Sequence, residues 1–424
     1  MKKSKGKKKN SSTIFVQIAS YRDPQLLPTL KDMLEKADHP ENLRIGIAWQ
    51  HNKDDAWDNL NEYQNDDRFR IIDIDYLESK GVCWARNAVQ QLYSDETYTL
   101  QIDSHHRFAP GWDTSLIDMV VDLQKKGSPK PLLTAYIPSF DPDNDPAARV
   151  QEPWKMNFDR FIPEGAIFFL PASFDVFNAK DRPLRARFYS AHFAFTVGEF
   201  SKEVQHNPDY YFHGEEISVG VRAYTHGYDL YHPHKVVCWH EYTRKGRSKQ
   251  WDDDKEWVAR NNKAHKMNRQ LFGMDNEEQV DMGIYGFGNV RSLHDYEKYA
   301  GISFKDRAIQ QETLEHKEPP NSQVPDDQWE NSLLNIFKHC IDIGYTQVPE
   351  TDYDFWCVVF KDEFENDLYR LDATPDEIAR MKNDPDGYCK VWREFQTKVL
   401  PKKWVVWPHS VSKGWCQIIE GVLN

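Results

Sequence analysis

Apolar residues in the first hundred positions alternate between short runs and helical stripes. Ile14-Phe15-Val16-Gln17-Ile18-Ala19 has the length of a buried strand and breaks at Ser20-Tyr21-Arg22-Asp23-Pro24. Leu26, Leu30, Met33, Leu34 and Ala37 then recur on one helical face, and Pro24 and Pro28 can each occupy its first turn. Arg44 to Trp49 and Arg70 to Tyr76 read as strands, Gly81 to Tyr93 as a helix, and Tyr98 to Ile102 as a fourth strand. Strands alternating with helices in this way predict βαβ units and a largely parallel sheet. In such sheets ligands gather beyond the carboxyl ends of the strands, which is where Ser20 to Asp23 and Asp103 to His105 fall.

Beyond residue 131 the pattern loosens. Leu132 to Tyr136 and Ala166 to Leu170 read as strands, and Arg185 to Val197 alternates. Gly214-Glu215-Glu216 opens a helix carrying Ile217, Val221 and Tyr224, which Gly227 ends, and Lys235 to Trp239 is strand-like. The segment 312–329 is polar and rich in proline, and reads as a linker between an α/β domain over 13–311 and a small, aromatic-rich domain of mixed or β character over 330–424. No repeat is visible.

The first candidate for chemistry is Asp103-Ser104-His105. On a strand, positions i and i+2 point the same way, so a carboxylate and an imidazole could grip one divalent cation. A strand-end Asp and a polar surface His explain the triplet equally well when it stands alone. His240, after the second buried-looking strand, is the natural third ligand; His226, His232 and His234 are rivals, and His106 is either a supporting residue or an alternative ligand. Glu215 and Glu216 suit the positive end of a helix, and also suit acid/base or acceptor-orienting work. Arg86 is placed to reach a phosphate or to form a salt bridge. No P-loop, dinucleotide-binding or nucleophile-elbow motif occurs.

Composition narrows the classes further. A net charge of −13 argues against nucleic acid as a partner. The exception is the lysine-rich tail at 1–12, whose self-repulsion predicts disorder. No apolar run is long enough to span a membrane, no signal-peptide pattern is visible, and the six scattered cysteines suit reduced thiols, so a cytoplasmic setting is expected. Most of the 14 Trp, 20 Tyr and 23 Phe are expected in an aromatic-rich core, and the rest suit stacking on sugars or bases.

Six segments in order carry a family resemblance: Ile14–Asp23, Gly81–Asn87, Leu100–Phe108, Ser190–Gly198, Phe212–Gly227 and Tyr228–Tyr242, the last ending in CWHEY. Together they resemble the Skp1-type polypeptide α-N-acetylglucosaminyltransferases, relatives of the mucin-type polypeptide GalNAc-transferases that share an Asp-x-His motif. The resemblance implies a GT-A fold, with a Rossmann-like mixed sheet flanked by helices over 13–311. It also implies retaining transfer from a UDP-sugar, UDP-GlcNAc first, to a hydroxyl of a protein. It implies that Asp103, His105 and His240 hold Mn2+ and that Ser20, Tyr21 and Arg22 border the uridine. Arg86 and Ser104 would then lie by the nucleotide-sugar, Ala191 and His192 against the donor sugar, and Glu215 or Glu216 at the donor sugar or acceptor. The chain departs from the family at His192, where a small residue such as Gly is usual. Residues 330–424 lie outside the resemblance and could bind acceptor or glycan, or form a homodimer surface. Two alternatives stand beside this reading: an inverting GT-A enzyme that builds a glycan with Glu215 or Glu216 as base, and a sugar-nucleotide- or glycan-binding protein without turnover.

Overall fold

The computed structural model describes residues 12–174, 181–244, 246–383, 387–397 and 399–423. The basic tail up to residue 11 lies outside them. The chain divides into two compact units, one comprising residues 1–301 and 316–322, the other 302–315 and 323–424.

The first unit begins with strand β1 (Ile14–Tyr21), helix α1 (Leu26–Lys36), β2 (Leu43–His51) and β3 (Phe69–Asp75). Helix α2 (Val82–Gln90), β4 (Tyr98–Asp103), the short β5 (His106–Phe108), α3 (Trp112–Lys125) and β6 (Pro131–Thr134) follow. A hairpin of β7 (Trp154–Phe161) and β8 (Ile167–Ser173) precedes β9 (Leu184–Arg185) and β10 (Phe193–Val197). The remaining elements are α4 (Phe200–Glu203), α5 (Glu215–Thr225), β11 (Asp229–His232), β12 (Cys238–His240), α6 (Gln250–Asp253), α7 (Trp257–Phe272) and α8 (Leu293–Ala300).

Eight strands form one sheet in the order β3-β2-β1-β4-β10-β6-β11-β9. The first four pair in parallel, as the alternation of strand and helix predicts. Beyond those four strands the sheet is mixed: β10 runs antiparallel to both β4 and β6, and β9 antiparallel to β11. The mixed α/β class implied by the resemblance is therefore the one found. The parallel half is held by a core of Ile14, Val16, Ile18, Ile45, Ile47, Leu100 and Ile102, against which Leu26, Leu30 and Met33 of α1 pack. Each fully buried side chain of this size contributes roughly 1.5–3 kcal/mol.

Connections from β1 lead to β2 on one side, while β4 joins on the other, so the strand order reverses between β1 and β4. A crevice opens at such a reversal. Ala19 of β1 stands in register with Asp103, the last residue of β4. Beyond it, β5 and β12 form a two-stranded antiparallel ribbon that sets His240 opposite His106.

The second unit is chiefly β. Strands β13 (Ile302–Ser303), β14 (Ala308–Gln310), β15 (Leu333–Gly344) and β18 (Tyr388–Thr397) form one sheet. A second sheet holds β16 (Tyr353–Lys361), β17 (Asp367–Arg370), β19 (Lys403–Ser410), β20 (Gly414–Trp415) and β21 (Ile419–Val422). Ile341, Val391, Trp356, Phe360 and Val406 from both sheets share one core. Short helices Gln311–Leu314 and Pro375–Met381 complete the unit. Among the described residues no helix is long and apolar enough to cross a membrane.

Candidate functional site

Asp103 and His105 are brought together by a kink rather than by strand alternation. β4 ends at Asp103, and the chain bends through Ser104-His105 before β5. Thr29 of α1 pins the bend: its hydroxyl donates toward the carbonyls of Ser104 and His106 (2.9 and 3.1 Å) and accepts from the amide of His106 (2.9 Å). The His106 ring Nδ1 lies 3.0 Å from the Asp103 carbonyl, which can only accept, so this buried histidine staples the kink. The backbone amide of Glu241 donates to the carbonyl of His105 (3.1 Å), tying the third histidine's neighbour to the same turn.

One ligand atom from each of Asp103, His105 and His240 lies within 4.8 Å of the others. Asp103 Oδ2 stands 3.7 Å from His105 Nε2 and 3.5 Å from His240 Nε2. These separations are long for hydrogen bonds, and neither ring nitrogen of buried His240 makes one. Burial holds the His240 imidazole well below its ordinary range, so it is neutral with a lone pair to offer. One carboxylate oxygen and two imidazole nitrogens form a donor set suited to Mn2+ or a similar cation, so the residues present fit such an ion. The rival histidines are engaged elsewhere: His226 with the carbonyl of Arg222, His232 with the carbonyl of Thr134, while His234 lines a separate surface cleft with Asp118 and Lys235.

Arg86 is buried, and both terminal nitrogens of its guanidinium are engaged while Nε has no partner. Nη2 donates to Asp103 Oδ1 at 2.6 Å and Nη1 to Glu215 Oε1. Burial opposes ionisation of Asp103, yet Arg86, with His240 and His105 adding to it, more than offsets this and holds the carboxyl well below the usual range. Gly81 makes the approach of α2 feasible: its φ is +108°, and an added Cβ would meet the Tyr211 ring at 2.8 Å.

The adjacent acids at the start of α5 differ sharply. Burial works against ionisation of Glu215, but Arg86, His206 and the Cys83 thiol bring its pKa down to about 2. Glu216 lies beyond that guanidinium and accepts from Tyr136 Oη (2.8 Å) and the Ala191 amide (2.9 Å). Burial, with Glu215 adding to it, pushes the Glu216 carboxyl up to about 7. His192 stacks behind His240 with ring centroids 4.2 Å apart, and its Nε2 faces the amide of Ile137 and the hydroxyl of Tyr242.

A cleft of about 360 Å3 opens at this point, lined by Ala19, Tyr21, Asp103, Ser104, His105 and His240 and walled by Arg244, Arg247 and Lys249. Glu215, Glu216, Ala191 and His192 are not among its lining residues. Tyr21 donates to Asp253 (2.7 Å), and Arg22, at φ +43°, reaches Asp55 and Asp253. Ser20 is buried, with a hydroxyl that has no partner. The sequence-based candidates omit Asp23 and the basic wall. A run of cations, Arg244 to Lys249, directly after CWHEY in an acidic chain was the available signal for the wall.

The model of the GlcNAc glycosyltransferase family matches residues 13–66 and 57–306. The chain belongs to that family. No curated protein sequence matches it. Among solved structures, GalNAc-T7 with UDP, GalNAc and Mn2+ is 12% identical with a TM-score of 0.44, over 67% of this chain and 54% of that one. TarS 1-349 of S. aureus with UDP-GlcNAc is 11% identical with a TM-score of 0.37, over 57% of this chain and 61% of that one. PcManGT, a mannosyltransferase of Pyrobaculum calidifontis with GDP-Man and Mn2+, is 11% identical with a TM-score of 0.35, over 61% of each. This glycosyltransferase thus spans about half the length of the GalNAc-T7 chain, and at these scores the likeness carries no chemical detail across.

Proposed function

We propose that this glycosyltransferase moves a hexosamine, N-acetylglucosamine first, from UDP to a hydroxyl of a protein acceptor, hydroxyproline, Ser or Thr, with retention at the anomeric carbon. The observation that carries the reading is the convergence of Asp103, His105 and His240 on a cleft with a basic wall at the reversal point of the sheet. Asp103, His105 and His240 would hold a divalent cation, which would supply positive charge against the departing diphosphate. Arg244, Arg247 and Lys249, which line the same cleft, add charge of the same sign. An adjoining cleft of about 820 Å3 shares Tyr21 and Gln250 with the first and includes Tyr76 and Trp84, rings on which a base could stack.

In the transfer, the bond from the sugar C1 to the phosphate oxygen breaks and the bond from C1 to the acceptor oxygen forms. The acceptor proton passes to the leaving diphosphate on the same face. Retention is favoured over inversion because neither Glu215 nor Glu216 lines the cleft, as a general base would have to. Their work in this reading is positional: Glu215 braces Arg86 against Asp103, and Glu216 braces the Ala191 amide.

The test is release of UDP from a panel of UDP-sugars with Mn2+, with and without acceptor peptides bearing hydroxyproline, Ser or Thr, and product anomers read by NMR. Turnover with UDP-GlcNAc and an α product is expected; no turnover with any donor would favour a binding protein, and a β product the inverting reading. Asp103→Ala is expected to abolish Mn2+-dependent UDP binding in titration calorimetry. Unchanged binding would sink the site.

A further inference from the structure

Asp23 follows β1, is only 4% exposed, and belongs to none of the roles described so far. Its Oδ1 accepts from the amide of Gln25 at 2.8 Å. Its Oδ2 accepts from Ser104 Oγ at 2.7 Å, lies 2.7 Å from His105 Nδ1 and accepts from Arg247 Nη1 at 3.1 Å. Two groups therefore converge on His105 Nδ1 with opposite requirements. A carboxylate can only accept, so Asp23 requires a proton on Nδ1; a guanidinium can only donate, so Arg247, which also touches Nδ1, requires a lone pair there.

Arg247 has other anionic partners, Asp23 itself and an ion pair with Glu241 Oε2 at 2.7 Å, whereas among the described residues Asp23 is the only acceptor placed at Nδ1. The proton therefore belongs on Nδ1. That leaves the lone pair on Nε2, the nitrogen that faces Asp103. A carboxylate behind a histidine in this way fixes the tautomer and ring orientation of a metal ligand and raises its basicity. Resting on the metal site proposed above, we propose that Asp23 is a positioning residue: it holds His105 in the Nδ1–H tautomer and shares its carboxylate with Arg247, so that the ligand and the basic wall have one anchor.

The test uses the metal-free full chain labelled with 15N-histidine, in which long-range proton–nitrogen correlations report the tautomer of each ring, with His105 assigned by its loss in His105→Gln. Wild type is expected to show His105 protonated at Nδ1. In Asp23→Asn the new amide can donate to Nδ1; the tautomer is expected to shift toward Nε2–H, and Mn2+ affinity, read by electron paramagnetic resonance, to fall about 10- to 100-fold. Arg247→Met removes the competing donor and leaves the Asp23 carboxylate in place, and the Nδ1–H tautomer is expected to persist. An Nε2–H tautomer in wild type overturns the proposal even where Asp23→Asn fails to fold. So does loss of the Nδ1–H tautomer in Arg247→Met, or a folded Asp23→Asn that binds Mn2+ as wild type does. No Mn2+ uptake by wild type would overturn the metal site itself; normal wild-type uptake with Asp23→Asn unaffected would overturn the role of Asp23 alone.

Discussion

Among the described residues of the first unit, two triads have the composition of metal sites, and Arg86 stands between them. Asp103, His105 and His240 form one; Cys83, His206 and Glu215 form the other. In the second, the Cys83 thiol donates to Glu215 Oε2 at 2.7 Å, His206 Nε2 pairs with Gln101 Oε1 at 2.7 Å, and Arg86 takes Glu215 Oε1. Its thiol is pushed well above the ordinary range by burial and by the Glu215 charge, so it is protonated and a poor ligand. Arg86 thus lies between two carboxylates, and the pair keeps one surplus negative charge. That surplus can meet an external cation only where a carboxylate is accessible: the Asp103 side chain is 23% exposed, against 7% for Glu215. The difference teaches that ligand types alone do not make a metal site. Access and the counter-charge already present decide which triad takes one.

Removing the shared cation would strain this comparison most. Arg86→Met leaves Asp103 and Glu215 buried without their partner, and a loss of about 3–5 kcal/mol is expected, read as a lower denaturant midpoint for the first unit. A loss below 1 kcal/mol would mean that the guanidinium does not hold the two triads together.

Glu216 serves as a control carboxylate, next in sequence to Glu215 but without the guanidinium. Its folded pKa, raised to about 7, means that the native state keeps a proton which the unfolded chain has already released. Stability therefore falls as pH rises from about 4.5 to 7, by on the order of 2 kcal/mol once partial exposure is discounted. Glu216→Gln should abolish that slope. Glu215 has the opposite sign: its contribution is present above about pH 4.5 and is lost as pH falls toward about 2. Parallel stability–pH curves for wild type and Glu216→Gln would show that Glu216 is not raised.

Cys83→Ala is the mildest break. Losing one thiol hydrogen bond is expected to cost about 1 kcal/mol, with Mn2+ uptake and total metal content by elemental analysis unchanged. Loss of a bound metal from this variant would turn the second triad into a metal site and reverse the comparison.

Much of the architecture was legible in the chain. The apolar run at Ile14–Ala19, the stripe on α1 and the acidic start of α5 mark their elements because burial imposes periods of two and of 3.6 directly on sequence. The candidate ligands were legible as types, and Asp103, His105 and His240 do come together. The grounds for pairing Asp103 with His105 were different, since the kink pinned by Thr29 aligns them, and Thr29 lies about 75 residues away along the chain. The parallel pairing expected of the first hundred residues is found, but the antiparallel direction of β10 was not legible, because strand direction is set by long-range pairing, which periodicity does not record.

By itself, then, the sequence determined the strands and helices of the first hundred residues and the helix at Glu215, which residue types were available for a cation, and that a membrane-spanning helix was not to be expected. Only the tertiary structure decided that Arg86 is enclosed by two carboxylates, that the Glu215 carboxyl is held down while that of Glu216 is pushed up, and that Asp23 stands behind His105. The physical reason is that charge and hydrogen-bond partnership depend on distance in space. The residues that set them here come from β1, α1, α2, β4, α5 and the segment after β12, and no local pattern in the chain records their meeting.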